Sequence, residues 1–169
     1  MLTIRRLESQ DTGVIAAAFQ QIGWNKTLAQ YEYYLAQQAD GQRAVFVAFL
    51  DQFFAGYLTI NWRSDYLPFR EQHIPEIQDF NVLPQYRRQG IGSRLMDEAE
   101  QIIAQRSPIA GIGVGLYADY GAAQRLYVKR GYIPDGRGLV YGYQAVEPGA
   151  HVVADDDLVL YLMKTLTND

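Results

Sequence analysis

The sequence predicts a mixed α/β domain, and three observations carry that expectation. Hydrophobic spacing switches along the chain between a helical period and a strand period. Glycine, proline and aspartate fall at the switches, where elements should end. The chain has 169 residues, 49% hydrophobic and 20% charged. At that length roughly 70% of the unfolded surface can be buried, so no metal or disulfide staple is needed.

Thr3 to Leu7 reads as an opening strand, with Ser9 or Asp11 placed to cap the helix that follows. Val14, Ile15, Ala18, Phe19 and Ile22 keep helical spacing and stop at Gly23. Leu28, Tyr31, Tyr34, Leu35 and Ala39 predict a second helix closed by Asp40-Gly41. Ala44 to Leu50 is an apolar run of strand length. After a tight connection at Asp51-Gln52, residues Phe54 to Trp62 alternate, so the two runs predict a hairpin. Arg63 to Gln72 is polar with Pro68 inside it and reads as a long loop. A strand over Ile74 to Leu83 stops at Pro84, and an amphipathic helix runs from Gly90 to about Ser107-Pro108. Ile109 to Leu116 alternates again, a short helix covers Asp119 to Arg130, and Gly131 ends it. Leu139 to Ala145 and Leu158 to Lys164 close the chain as strands. The order is β-α-α-β-β-β-α-β-α-β-β, a single domain over residues 1–169.

Composition excludes several functions. The absence of cysteine removes a thiolate metal site and any acyl group carried on a protein sulfur. Two histidines, His73 and His151, are too few for a multi-histidine metal site, and no metal is expected. The net charge of -4 argues against a partner bound by neutralising phosphates, so no nucleic acid is expected. The longest apolar run is too short to span a bilayer, and Arg5, Arg6 and Glu8 precede any signal-like stretch. A soluble, cytoplasmic protein is the expectation. The charge is also uneven: residues 1–134 carry 13 acidic and 13 basic side chains, whereas residues 135–169 carry 6 acidic and 2 basic. Asp155 to Asp157 belong to that acidic end and are expected to favour cationic ligands.

The most specific stretch is Val82-Leu83-Pro84-Gln85-Tyr86-Arg87-Arg88-Gln89-Gly90-Ile91-Gly92-Ser93. A strand stops at a proline, two arginines follow, and two glycines open a helix. The first amides of a helix lack intrahelical partners and attract anions, and Arg87 and Arg88 add full charge. Phosphate or pyrophosphate binding is the chemistry this predicts. There is no Gly-Lys-Ser/Thr ending, and Leu95 stands where a dinucleotide fingerprint needs its third glycine. A solvated arginine pair at a plain turn is the bland alternative.

Arg87-x-x-Gly90-x-Gly92 resembles the acyl-CoA pyrophosphate loop of the GNAT superfamily of N-acetyltransferases. Ala123-Gln124-Arg125-Leu126-Tyr127-Val128-Lys129-Arg130-Gly131-Tyr132 is similar to that family's late helix, with its Leu-Tyr pair and closing Gly-aromatic. The resemblance implies a central mixed, mostly antiparallel sheet with helices on both faces. It implies acetyl-CoA as co-substrate, with backbone groups of Phe80, Asn81 and Val82 taking the pantetheine arm. The amides of Arg88, Gln89, Gly90, Ile91, Gly92 and Ser93, with Arg87, would hold the pyrophosphate. Tyr120 stands where the family commonly has Asn, and Asp119 is placed to cap the helix instead. Family habit also implies a homodimer through the final strands.

Direct transfer to an amine needs a base, an oxyanion partner and an acid. An alkylamine of pKa near 10.4 is about three units from neutral at pH 7, a cost of roughly 4 kcal/mol that a positioned base removes. Tyr127 is the implied acid; a tyrosine on the inner face of a core helix is the plain alternative. Glu76, on the central strand, is the first choice for base, with Asp79 and His73 as rivals. A backbone N–H near Val82 is implied for the oxyanion. Gly111, Gly113 and Gly115 leave one face of the next strand bare, for helix packing or a thin ligand arm. Trp62, Tyr66, Phe69, Tyr141 and Tyr143 would line an acceptor pocket unless they are core. The expected acceptor is a small primary amine. A protein N-terminus or lysine is the alternative acceptor, and a non-catalytic acyl-CoA-binding domain the alternative class.

Overall fold

A computed structural model describes residues 1–166; Asp169, counted above with the acidic end, lies outside them. The elements are β1 (Leu2–Arg6), α1 (Asp11–Gln21), α2 (Leu28–Ala39), β2 (Arg43–Leu50), β3 (Phe53–Asn61), α3 (Leu67–Glu71), β4 (Glu76–Val82), α4 (Ile91–Ala104), β5 (Ile109–Gly115), α5 (Gly121–Lys129), β6 (Ile133–Tyr141), β7 (Gln144–Ala145) and β8 (Leu158–Thr165). The sheet is mixed and mostly antiparallel, as expected: β4 with β5 is a parallel pair, and the pairs β1–β2, β2–β3, β5–β8, β6–β8 and β6–β7 are antiparallel. The chain divides into two units, Met1–Trp62 with Gln78–Gln101, and Arg63–Ile77 with the segment from Ile102 onward.

The first unit holds β1 to β3 and most of β4, in that order across the sheet. Asp51 and Gln52, with φ of 47° and 75°, form the two-residue turn whose left-handed backbone matches strand twist. Gly23, at φ 74°, ends α1 by letting the Trp24 N–H reach back to the Phe19 carbonyl at 3.0 Å. Thr27 caps α2 through the Gln30 N–H at 3.3 Å. Asp11 lies inside α1 and does not cap it. Its carboxylate instead accepts from the Glu8 N–H at 2.8 Å and from both Arg5 terminal nitrogens at 2.7 and 2.8 Å. Ile15, Phe19, Tyr31, Val45, Val47, Phe54, Tyr57 and Leu83 form this unit's core. The Phe19 ring stacks on Trp24 and meets Tyr57 edge-on.

The second unit orders its strands as the start of β4, then β5, β8, β6 and β7. Two elements depart from expectation. The stretch read as a loop contains α3, with Pro68 in its first turn, where a missing N–H costs nothing. The single strand expected over Leu139 to Ala145 is a hairpin. β6 opens earlier, at Ile133, with a register shift between Pro134 and Leu139 against β8, and ends at Tyr141. β7 pairs back on it after a turn at Gly142 and Tyr143. Tyr66, Phe69, Ile74, Val140 and Tyr161 form the core of this unit. Tyr66 stacks on Tyr161 at 3.7 Å with planes 2° apart, and Phe69 packs edge-on against both rings. Tyr66 and Phe69 are therefore core residues, as the plainer reading of the aromatic set has it.

Candidate functional site

In the first unit β4 does not run straight. Asp79 has a φ of 48°, a left-handed conformation that aspartate tolerates better than a branched residue. Its carboxylate accepts from Lys26 at 2.6 Å, Gln30 at 2.9 Å, Tyr34 at 3.1 Å, Asn81 at 2.9 Å, and also from the Tyr57 hydroxyl. Burial, followed by the Asp79 charge, pushes the Tyr34 phenol up to about 12. The same two causes raise Tyr57 well above its ordinary value. Both phenols therefore stay protonated and keep donating. Asp79, a rival of Glu76 for the base, is a carboxylate at the centre of a hydrogen-bond cluster. Lys26, Gln30, Tyr34 and Tyr57 went unflagged in the sequence. Lys26, Gln30 and Tyr34 follow a four-residue spacing, which was the available signal.

Beyond β4 the chain makes a 3-10 turn over Pro84–Tyr86 and then exposes Arg87, Arg88, Gln89 and Gly90. Arg87 donates its Nε proton to the Val82 carbonyl at 3.0 Å, and its guanidinium lies 5.9 Å from the Trp24 ring centroid. Arg88 and Gly90 take φ of 58° and 80°, which turns the chain into α4. The helical ladder opens with the Arg94 N–H on the Gly90 carbonyl at 3.0 Å, so the amides of Ile91, Gly92 and Ser93 stand ahead of it. Ile91, Leu95, Met96 and Ala99 bury the opposite face of the helix. A β-carbon on Gly90 would meet nothing within 4 Å, whereas one on Gly92 would stand 3.2 Å from the Phe80 ring. Gly90 thus leaves open space beside the arginines, and Gly92 serves the seating of α4 on β4. Helix amides, exposed guanidiniums and an open approach are the donor set that a pyrophosphate needs. The predicted residues Phe80 to Val82 and Arg87 to Ser93 form one continuous segment of this unit. Behind it, Gly56 allows β3 close to β4: a β-carbon there would lie 2.6 Å from the Asn81 carbonyl oxygen and 3.0 Å from the Val82 Cα.

The second unit holds the two predicted catalytic side chains on separate elements. Glu76 begins β4 opposite Gly111 and is 5% exposed. It accepts from the Ser64 hydroxyl. The Ser64 oxygen in turn accepts the Tyr66 N–H at 3.0 Å. Tyr127 sits on the buried face of α5, 5% exposed. Burial raises its phenol above the ordinary value, so it remains a proton donor at neutral pH. His73 is exposed in the turn before β4.

The bare glycine face of β5 is filled by side chains of the same unit, among them Phe69 of α3, so helix packing accounts for part of it. Phe69 lies against Gly111, Tyr161 and Val159 against Gly113, and Tyr120 against Gly115. Asp119 does not cap α5, because residues Ala118–Tyr120 form a 3-10 turn and Tyr120 takes the cap position without a side-chain bond. The Tyr120 hydroxyl donates to Asp156 at 2.8 Å, and the Tyr117 hydroxyl donates to the same carboxylate. Asp155 accepts from Tyr141 at 3.0 Å. The acidic segment is thus tied down by phenols. Among the described residues no group of three or more His, Asp or Glu side chains is arranged to hold a metal, and no helix is long and apolar enough to cross a membrane.

A sequence comparison with curated proteins finds no match. Solved structures match along nearly the whole chain. The ribosomal-protein-alanine N-acetyltransferase of Brucella melitensis is 19% identical, with 97% of this chain and 99% of that one covered and a TM-score of 0.71. YncA of Salmonella typhimurium, named as an acetyltransferase and solved with its cofactor acetyl-CoA, is 18% identical over 99% and 95%, with a TM-score of 0.68. A spermidine N-acetyltransferase chimera of Vibrio cholerae SpeG and hSSAT is 16% identical over 98% and 95%, with a TM-score of 0.70. Identities this low speak for the fold alone. The family model is the stronger finding: the acetyltransferase (GNAT) family matches residues 8–132, which include β4, the arginine-glycine turn and Tyr127, and the chain belongs to that family.

Proposed function

We propose that this chain, acting as one domain, transfers an acetyl group from acetyl-CoA to a primary amine of a small molecule, by direct attack in a ternary complex. The observation that supports the reading is the start of α4, where the exposed Arg87 and Arg88 stand beside the first turn of a helix, a setting that suits an anion. Acetyl-CoA supplies the activated acyl thioester. Arg87, Arg88 and the amides from Arg88 to Ser93 hold its pyrophosphate, and backbone groups of Phe80 to Val82 take its arm. Glu76 accepts the amine proton, directly or through a water, with Ser64 fixing one of its oxygens. Tyr127 keeps its proton for the departing thiolate. With no protein cysteine, the acyl group passes straight to the acceptor.

The same absence makes the test clean, since a thiol reagent reports released CoA alone. The enzyme with acetyl-CoA is offered a panel of small primary amines and of short peptides. Thiol release driven by small amines is the expected result. Preference for peptides would replace the acceptor assignment with a protein N-terminus or lysine. Tight CoA binding with no release by any amine would overturn the enzymatic reading in favour of an acyl-CoA-binding domain.

A further inference from the structure

The Lys26 ammonium reaches Asp79 at 2.6 Å from the connection between α1 and α2. It also stands 5.6 Å from the Phe19 ring centroid and 5.7 Å from that of Tyr57. The ammonium thus meets a carboxylate and two aromatic rings at once, the chemistry that recognises an alkylammonium. Among the described side chains that donate to Asp79, the other four (Gln30, Tyr34, Tyr57 and Asn81) are neutral. They orient the carboxylate without cancelling its charge, and Lys26 supplies the cation. The lysine stem comes from a connecting segment and not from a helix or strand, so it can leave without breaking a ladder. A partly buried ion pair of this kind is weak evidence for stability, because desolvation offsets most of the attraction.

Asp155 and Asp156 face phenol hydroxyls, whereas Asp79 already holds an ammonium.

We propose that Asp79, with the rings of Phe19 and Tyr57, is a subsite for the primary ammonium group of a ligand, and that Lys26 occupies it as an internal competitor. As an acceptor subsite it rests on the amine reading above. Asp79 immediately precedes Phe80 to Val82, the residues proposed to take the acyl arm, so a cation bound there lies on the strand that serves the cofactor. Ligand binding would then require Lys26 to swing away, and the chain's own lysine would set how much free amine is needed.

The test uses n-butylammonium chloride, whose four-carbon stem matches that of lysine, titrated without acetyl-CoA against sodium chloride at equal ionic strength. Lys26→Ala opens the slot; Lys26→Met keeps a stem of similar length against the rings without the charge. The Ala variant should gain a saturable rise in melting temperature, with a half-point at least about tenfold below any wild-type response, as removal of a tethered competitor requires. Lys26→Met and the double variant Lys26→Ala with Asp79→Asn should gain none. A response of the Ala variant equal to wild type, or one that persists in the double variant, overturns the proposal.

Should Lys26→Ala not fold, NMR of the Lys26 side-chain ammonium in the wild type decides. Displacement moves its signal towards that of a solvated lysine as the probe approaches about 100 mM, within the range of tethered effective concentrations. A signal that stays put overturns the proposal. Neither measurement uses turnover, so failure here leaves acyl transfer standing, and failure of the thiol-release assay leaves this ammonium site standing.

Discussion

The Ser64 hydroxyl donates to the Glu76 carboxylate inside the second unit, where Ser64 is 0% and Glu76 5% exposed. Ser64 is itself fixed, since its oxygen accepts the Tyr66 N–H and its carbonyl accepts from Arg70 Nε at 2.8 Å. One oxygen of the candidate base is therefore oriented by a residue that the backbone holds still.

That arrangement separates chemistry from structure in two substitutions. Glu76→Gln removes the base and should lower kcat by roughly 10²- to 10⁴-fold. Ser64→Ala takes a donor from a buried carboxylate and should destabilise the fold by about 1–3 kcal/mol, with a smaller loss of kcat. Thiol release and urea unfolding measure the two effects. Wild-type turnover in Glu76→Gln would remove Glu76 from the mechanism.

Tyr127→Phe tests the acid. Burial raises the phenol, so the folded enzyme keeps this proton well into the alkaline range, and Tyr127 itself should cause no fall in activity below about pH 10. The substitution should lower kcat by about 10²-fold while changing the KM for acetyl-CoA little. Unchanged turnover across the pH range would reduce Tyr127 to a packing residue.

How far the sequence could be read depended on the range of the interactions. Gly23 and Gly131 marked helix ends, and Asp51-Gln52 marked a hairpin, because those signals sit within a few residues of what they terminate. The arginine-glycine segment was legible for the same reason. α3 was not, because one turn of helix containing Pro68 shows no period. The Asp119 cap failed because a 3-10 turn takes up that residue. The Asp79 cluster draws on the α1–α2 connection, α2, β3 and β4, and no local pattern announces a site assembled by folding. Gly111 and Gly115 were legible as a bare face, but the rings of Phe69 and Tyr120 that fill it come from elsewhere in the chain.

Gly56→Ala should be felt at the strand that carries the proposed cofactor contacts. Its β-carbon would press on backbone, 2.6 Å from the Asn81 oxygen and 3.0 Å from the Val82 Cα, and backbone cannot rotate away as a side chain can. The expected cost is about 1–3 kcal/mol by urea unfolding, together with weaker acetyl-CoA binding. Wild-type stability and affinity would mean that β3 and β4 separate freely.

Arg88 offers a charge removal without strain. At φ 58° it holds a conformation that glycine adopts at no steric cost, so Arg88→Gly deletes the guanidinium and keeps the turn. Loss of one charge-assisted contact of about 1.5 kcal/mol should weaken acetyl-CoA binding roughly tenfold and flatten its salt dependence. Calorimetric titration at two ionic strengths measures both. Unaltered affinity at low salt would exclude Arg88 from the anion site.

The buried phenols also set an alkaline limit on stability. Burial is the first cause that raises Tyr31, Tyr57, Tyr127 and Tyr161 in the folded chain. In the unfolded chain these groups lose their protons near pH 10. Above that pH the unfolded state binds fewer protons than the folded one, so the free energy of unfolding falls as pH rises. Below it the contribution is fully present. Each phenol adds a slope that approaches about 1.4 kcal/mol per pH unit, and about 1 kcal/mol between pH 10 and 11, roughly 4 kcal/mol for the four together. Urea unfolding at pH 8, 10 and 11 should therefore show steep loss only in the last interval. Tyrosinate absorbance of the buried set should rise with unfolding. Tyr161→Phe should remove one phenol's share of the slope. A stability curve flat to pH 11 would mean that these hydroxyls ionise as readily in the folded chain as in the unfolded one.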